Sequence, residues 1–208
     1  MKISITRGLS ELKVLKNRYE KEVGSVDLMG VSVGNKMMVP HSSYTIENFE
    51  KQALSSFQSL IDLEKRIIEI KTKIDQSNFV TKVKVAGKEM TVLEAIELKN
   101  LISLREARLI RMKLQLRSAK TSYESAENKN RERIEKTMSE QNSSGNKDAD
   151  LEAKIKKSIE EVYSVALVDP LKLEEKIEEE EKFLENFKGE VDFVLSESNS
   201  LTYIEISD

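Results

Sequence analysis

Between Phe49 and Ile74 a small or apolar side chain returns at alternating intervals of four and three: Phe49, Ala53, Ser56, Leu60, Leu63, Ile67, Ile70 and Ile74. Intervals averaging 3.5 residues place all eight on one narrow line along an α-helix, and a second helix must cover that line. The pattern predicts a helix over 46–76, about 46 Å long at 1.5 Å per residue. Phe57, Ile61 and Ile68 widen the stripe and predict contact with more than one neighbour.

A second seam follows. Ala95, Leu98, Ile102, Arg105, Leu109, Met112, Leu116, Ala119, Tyr123 and Ala126 are spaced by threes and fours, with no Gly or Pro before Gly145. Between the two seams the period drops to two. Thr81 to Val85 alternates polar and apolar, Ala86-Gly87 supplies a turn, and Lys88-Glu89-Met90 returns, which predicts a β-hairpin at 79–91. Thr91 with Glu94 three residues on has the form of a capping box opening the second helix. Two long helices joined in this way run antiparallel if they share their seams.

The remaining chain divides on punctuation. Leu9, Leu12, Leu15 and Tyr19 predict an N-terminal helix within 1–23, and 24–45 is a Gly/Met-rich loop or ribbon. The helical hairpin occupies 46–138. Residues 139–148 (SEQNSSGNKD) are polar and aperiodic, which predicts a flexible linker. From 149 to 208 the expectation is C-terminal helices and a β-hairpin: a helix through Ile155, Ile159 and Val162, and a strand at 164–168. A fourth helix would open at Asp169-Pro170 and end at Gly189, and strands would carry Val191, Phe193 and Leu195, then Thr202, Ile204 and Ile206. The fold class is therefore mainly α: an elongated antiparallel helical bundle or coiled coil with small β-hairpins at its ends.

The order of parts resembles the septicolysin family of bacterial and phage-encoded helical-hairpin proteins. The resemblance runs over about 46–190. It is carried by a heptad helix closing on Ile74-Asp75-Gln76-Ser77-Asn78, a hairpin at Gly87-Lys88-Glu89-Met90-Thr91, a helix opening Val92-Leu93-Glu94-Ala95-Ile96, and the apolar run Val165-Ala166-Leu167-Val168 before Asp169. The resemblance supports the fold and brings no catalytic residues with it. The family name implies a lysin.

Composition narrows function by exclusion. There is no Cys, which removes thiol nucleophiles, Cys-ligated metals and disulfides. The one histidine, His41, leaves no site that needs two imidazoles. Flanked by Pro40 and Ser42, it reads as an ordinary loop residue. The run Glu178–Glu181 points in four directions around a helix and reads as a solvated face, not a cation site. No cofactor is expected. Thirty-four Lys+Arg against 37 Asp+Glu argue against bulk attraction to nucleic acid. Arg105, Arg108, Arg111, Lys113, Arg117 and Lys120 do form a basic helix, but without interleaved aromatics. The eight Glu of 170–190 are its simpler counterpart. Arg105, lying in the seam, predicts an ion pair buried within the chain or between chains. The Gly24/Gly30/Gly34 segment has no phosphate-loop spacing. With Met29, Val31, Val33, Met37, Met38 and Val39 it is either an adaptable contact surface or a flap folded back as core.

No stretch of 18 apolar residues occurs and the first residues lack a secretory signal, so a cytoplasmic protein of a bacterial host, or a part of a phage particle, is expected. Seams this long bury too little within one chain, which predicts a homo-oligomer. The functional expectation is a non-enzymatic oligomeric interaction or assembly protein, a structural component or an inhibitor of a host protein. Its partners would be itself and another protein, not nucleic acid or membrane. The expected contact residues are Leu60, Leu63, Ile67, Ile70, Leu98, Ile102, Arg105 and Leu109 on the seams, and Met29, Met37 and Met38 on the loop. The alternative is a membrane-active lysin or toxin, although no helix pairs a Trp/Phe-rich face with a Lys/Arg face.

Overall fold

A computed structural model describes residues 1–40, 44–143 and 149–207, so His41 and residues 144–148 lie outside the described residues. The described chain is mainly helical, with small antiparallel strand pairs. It divides into two compact units, Met1–Asn100 with Phe187–Asp208, and Leu101–Asn186.

The first unit begins with β1 (Lys2–Ser4) and α1 (Ile5–Ser25), whose N-cap Ser4 accepts the Arg7 N–H. A ribbon of β2 (Val31–Val33) and β3 (Lys36–Val39) leads to α2 (Ile46–Val80), capped in the same way by Thr45 on the Asn48 N–H. The helix is the expected one, lengthened by a turn. Its eight seam positions are all buried or half-buried, while Leu54, Phe57 and Ile68 are exposed. Ile61, the third residue expected to widen the stripe with Phe57 and Ile68, is half-buried.

What closes the α2 seam is α1. Ser59 donates to Glu22, Arg66 to Glu11, and Ile74 Cδ1 lies 3.3 Å from where a Gly8 Cβ would stand. Numbers fall along α1 as they rise along α2, so the pair is antiparallel. Ile3, Ile5, Leu12, Ile70, Ile74, Ile204 and Ile206 form the buried cluster, with Leu15 and Ile67 packed against it. The C-terminal residues enter this core through β6 (Tyr203–Glu205), which pairs antiparallel with β1 and sets Ile3 opposite Ile204. Ser207 fastens the edge, its carbonyl accepting from Arg66 and its N–H donating to Glu69 at 2.6 Å each. The hydrogen bonds from Ser207, and then Arg66, hold the Glu69 carboxyl below the usual carboxylate range.

The hairpin forms as expected from β4 (Lys82–Val85) and β5 (Lys88–Thr91), turning on Ala86 and Gly87, both at positive φ. Paired positive φ values suit the right-handed strand twist, and Gly87 takes its own without steric cost. The capping box is complete: Thr91 N–H donates to the Glu94 carboxylate at 2.7 Å, and Glu94 N–H to Thr91 Oγ1 at 3.1 Å. It opens α3 (Val92–Asn100), a separate element from α4 (Ile102–Ser143), where one uninterrupted helix was expected. The break falls at Asn100-Leu101. An Asn side chain competes with the helix for backbone groups, and the two compact units meet in sequence at the same point. The segment 139–148 divides too, with 139–143 continuing α4.

The second unit holds α4, α5 (Ala149–Val162) and the first part of α6 (Leu173–Leu201). Several sequence expectations fail from here to the last helix. No strand forms at 164–168 among the described residues, because that run meets no strand to pair with and leaves Leu167 and Val168 exposed. The last helix begins at Leu173, whose N–H is capped by Asp169 at 2.8 Å, not directly at Pro170. It then runs through Gly189 to Leu201. Ile177, Leu184, Phe187 and Val191 are its buried line, whereas Phe193, read as a strand residue, is exposed. Three alternating residues were too short a sample to outweigh that helical period. Only the final Tyr203–Glu205 remains of the expected C-terminal hairpin, and its partner is β1.

Candidate functional site

The seam residues on α2 fall inside the chain. Leu60, Leu63 and Ile70 are buried and Ile67 is half-buried against the α1 core. The expectation that this seam awaits a partner is corrected to that extent, because the apolar stripe of α1 already covers it. Leu98, Ile102 and Leu109 are half-buried on α3 and α4.

Arg105 takes the place expected for it. It donates from Nε and Nη2 to both oxygens of Glu180, at 2.7 and 2.8 Å, and its guanidinium carbon lies 4.4 Å from the centre of the Phe183 ring. Arg108 adds a third bond to Glu180 at 2.9 Å. Glu180 itself stands between Ile177 and Leu184 on the inward line of α6, so a forked pair spans two apolar faces. The side chains are 22% and 14% exposed. The Arg105 hydrogen bond holds the Glu180 carboxyl below its ordinary range, against the opposing effect of partial burial. Two further pairs, Lys113 with Glu181 and Lys120 with Glu174, run along the same contact in antiparallel order. The acidic helix is thus the counterpart of the basic one within this unit. A groove of about 430 Å³ lies beside these pairs, lined by Leu116, Lys120, Glu174 and Ile177 among others.

The ribbon answers the question left open for residues 24–45. Met37 alone of its methionines is buried, while Met29 (89% exposed), Val31, Val33, Met38 and Val39 face outward. Its base is held by the Met37 N–H donating to Tyr44 O at 3.2 Å and by a bridge between Lys36 and Thr45. The start of β3 is thereby covered on both edges, whereas β2 pairs with β3 alone among the described strands. Residues 28–35 carry no charge, in a chain of which 34% is charged. An edge strand without Lys, Pro or any charge has none of the usual protection against pairing with another strand.

Gly30 anchors the ribbon. A Cβ there would collide with Met37 Cε and stand 2.5 Å from Val39 O and 3.2 Å from Phe49 Cζ. The methionine tip could move, but the carbonyl could not without shifting β3. Gly30→Ala is expected to cost about 1–3 kcal/mol, as overpacking does, and urea unfolding checks it. Gly24→Ala, with open space around it near the end of α1, is the control and should be neutral or slightly stabilising.

Among the described residues there is no group of three His, Cys, Asp or Glu side chains that could hold a metal ion, and no helix is long and apolar enough to cross a membrane. Compared with family models, with curated proteins and with solved structures, the chain matches none.

Proposed function

We propose that the protein is a non-enzymatic interaction protein that acts by self-association and by contact with other proteins, as an assembly component or an inhibitor does. One observation carries the reading: a charge-free apolar edge strand held outward on a ribbon whose base is pinned to the body. Exposed apolar surface costs free energy in water, and a fold that buries Met37 while presenting Met29, Val31, Val33 and Met38 gains when a second surface covers them. The 3-4 spacing on α2, α4 and α6 supports the accompanying proposal of an elongated bundle of coiled-coil type. The septicolysin resemblance supports a bacterial or phage origin.

The test is mass in solution. Light scattering at high micromolar concentration is expected to give a multiple of 23.8 kDa for the wild type, and the single-chain mass for Val31→Glu/Val33→Glu. A wild type that stays at 23.8 kDa overturns self-association. The same apolar ribbon favours one competing reading, insertion into a membrane by a lysin. Dye release from lipid vesicles by the wild type, lost in the double variant, would decide for that reading instead.

A further inference from the structure

The first half of α4 is apolar on two opposite sides. Its inner line, Ile102, Arg105, Leu109, Met112 and Leu116, is half-buried. The positions across the helix from that line ordinarily carry polar residues facing water. Here they are Ser103, Leu104, Ala107, Ile110, Arg111 and Leu114, three of them large and apolar. The three large apolar ones are 66%, 60% and 55% exposed. On α2 the positions in the register of Leu104 to Leu114 are Asp62, Lys65, Ile68, Glu69 and Thr72, four of them polar and one, Ile68, apolar and exposed. A helix with two apolar faces belongs between two neighbours, and among the described residues of its own unit α6 covers only the inner one.

Charge tells what the second neighbour is. Between Ile102 and Thr121 the helix has six cations and one carboxylate, the half-buried Glu106. Arg105, Arg108, Lys113 and Lys120 are each paired with a glutamate of α6. Arg111, within the outer stripe, and Arg117, at the margin where it also borders the groove beside Glu178 and Glu181, form no ion pair within 4.0 Å among the described residues. The inner face thus shows the rule by which this helix is covered, an apolar line flanked by glutamates, and the outer face repeats the apolar line and the cations without the cover. A second copy set face to face would bring arginine against arginine.

We propose that the outer face of α4 binds an acidic amphipathic helix of another protein, with Leu104, Ile110 and Leu114 as apolar anchors and Arg111 and Arg117 each taking a carboxylate. The two arginines are six residues apart, so the carboxylates would stand about 9 Å apart along the partner helix. The proposal concerns a different helix from the ribbon and does not depend on it.

The experiment uses the full chain and two labelled synthetic helical peptides with one Leu/Ala stripe, flanked by Glu in the first and by Lys in the second. Fluorescence anisotropy is expected to show saturable binding of the Glu-flanked peptide alone. Arg111→Glu/Arg117→Glu should weaken it about tenfold or more and admit the Lys-flanked peptide. Leu104→Asn/Leu114→Asn should weaken both combinations. All four positions are exposed, and unchanged circular dichroism confirms folding. Val31→Glu/Val33→Glu should bind as the wild type does, which separates this surface from the ribbon. The proposal is overturned if the two peptides bind alike, or if the charge-swapped variant keeps its preference for Glu. It also falls if the Leu104/Leu114 variant lowers the solution mass, which would mean that a second copy sits there. Binding of phosphatidylserine vesicles lost in the arginine variant would give the face to a lipid surface and overturn it equally.

Discussion

Ile70→Asp is expected to unfold the unit built on α1 and α2, whereas Ile68→Asp, two residues away on the same helix, should leave it folded. Ile70 is 0% exposed in the isoleucine cluster and Ile68 is 56% exposed. Truncating a buried isoleucine costs about 2–5 kcal/mol through lost contacts and the cavity left behind. A carboxylate without a partner at that point adds a further desolvation cost, against a typical total stability of about 5–15 kcal/mol. The exposed substitution should remain within about 0.5 kcal/mol of the wild type. Urea unfolding of the two variants, followed by circular dichroism, measures the contrast. The result bears on function as well. Were the α2 seam a surface awaiting a partner, Ile70→Asp would leave the single chain folded and change only its assembly.

The parts of this fold legible in the sequence are those that local chemistry determines. Thr91 and Glu94 need only each other to cap a helix, and Ala86-Gly87 needs only its own turn. The apolar part of the buried line of α2 could be read from the helical period, which sets the side chains that share a face, although the line continues one turn further to the buried Asn78. What the pattern could not supply was the identity of the cover. Leu12 and Leu15 on α1 were visible as a short amphipathic stripe, but nothing local says that this stripe, and not the next long helix, lies on Ile67 and Ile70. Ile204 and Ile206 reach the same core only because β6 pairs with β1 across almost the whole chain, a contact with no local signature. The end of α6 was misread for a related reason: Val191, Phe193 and Leu195 fit a strand as well as a helix until Phe187 and Val191 are seen buried on one line. The outer stripe of α4 was present in the sequence as Leu104, Ile110 and Leu114. It became informative only once α6 was seen to occupy the opposite face.

The pair of Arg105 and Glu180 is a case in which sequence position anticipated chemistry, and it carries the second large effect. Glu180→Gln keeps the shape of the side chain and removes its charge, which leaves two guanidiniums facing a neutral amide in a partly dry contact. Breaking a fully buried pair from one side costs about 3–5 kcal/mol. Both partners here retain some water, so the expected loss is about 2 kcal/mol. Glu181→Gln on the more exposed pair should cost under about 1 kcal/mol. The dependence on pH has a definite sign. Because the folded-state pKa of Glu180 lies below the ordinary 4.5, its contribution is fully present above that value. It is lost as pH falls from there through the lowered value, where the folded carboxylate takes up its proton. The gap in unfolding free energy between wild type and Glu180→Gln should therefore be widest near neutral pH and should narrow as the pH is taken progressively below 4.5. Paired urea titrations at neutral pH and at a series of pH values below 4.5 measure it. A gap that stays constant, or a glutamine variant more stable than the wild type at neutral pH, would show that the apolar lines of α4 and α6 hold together without this pair.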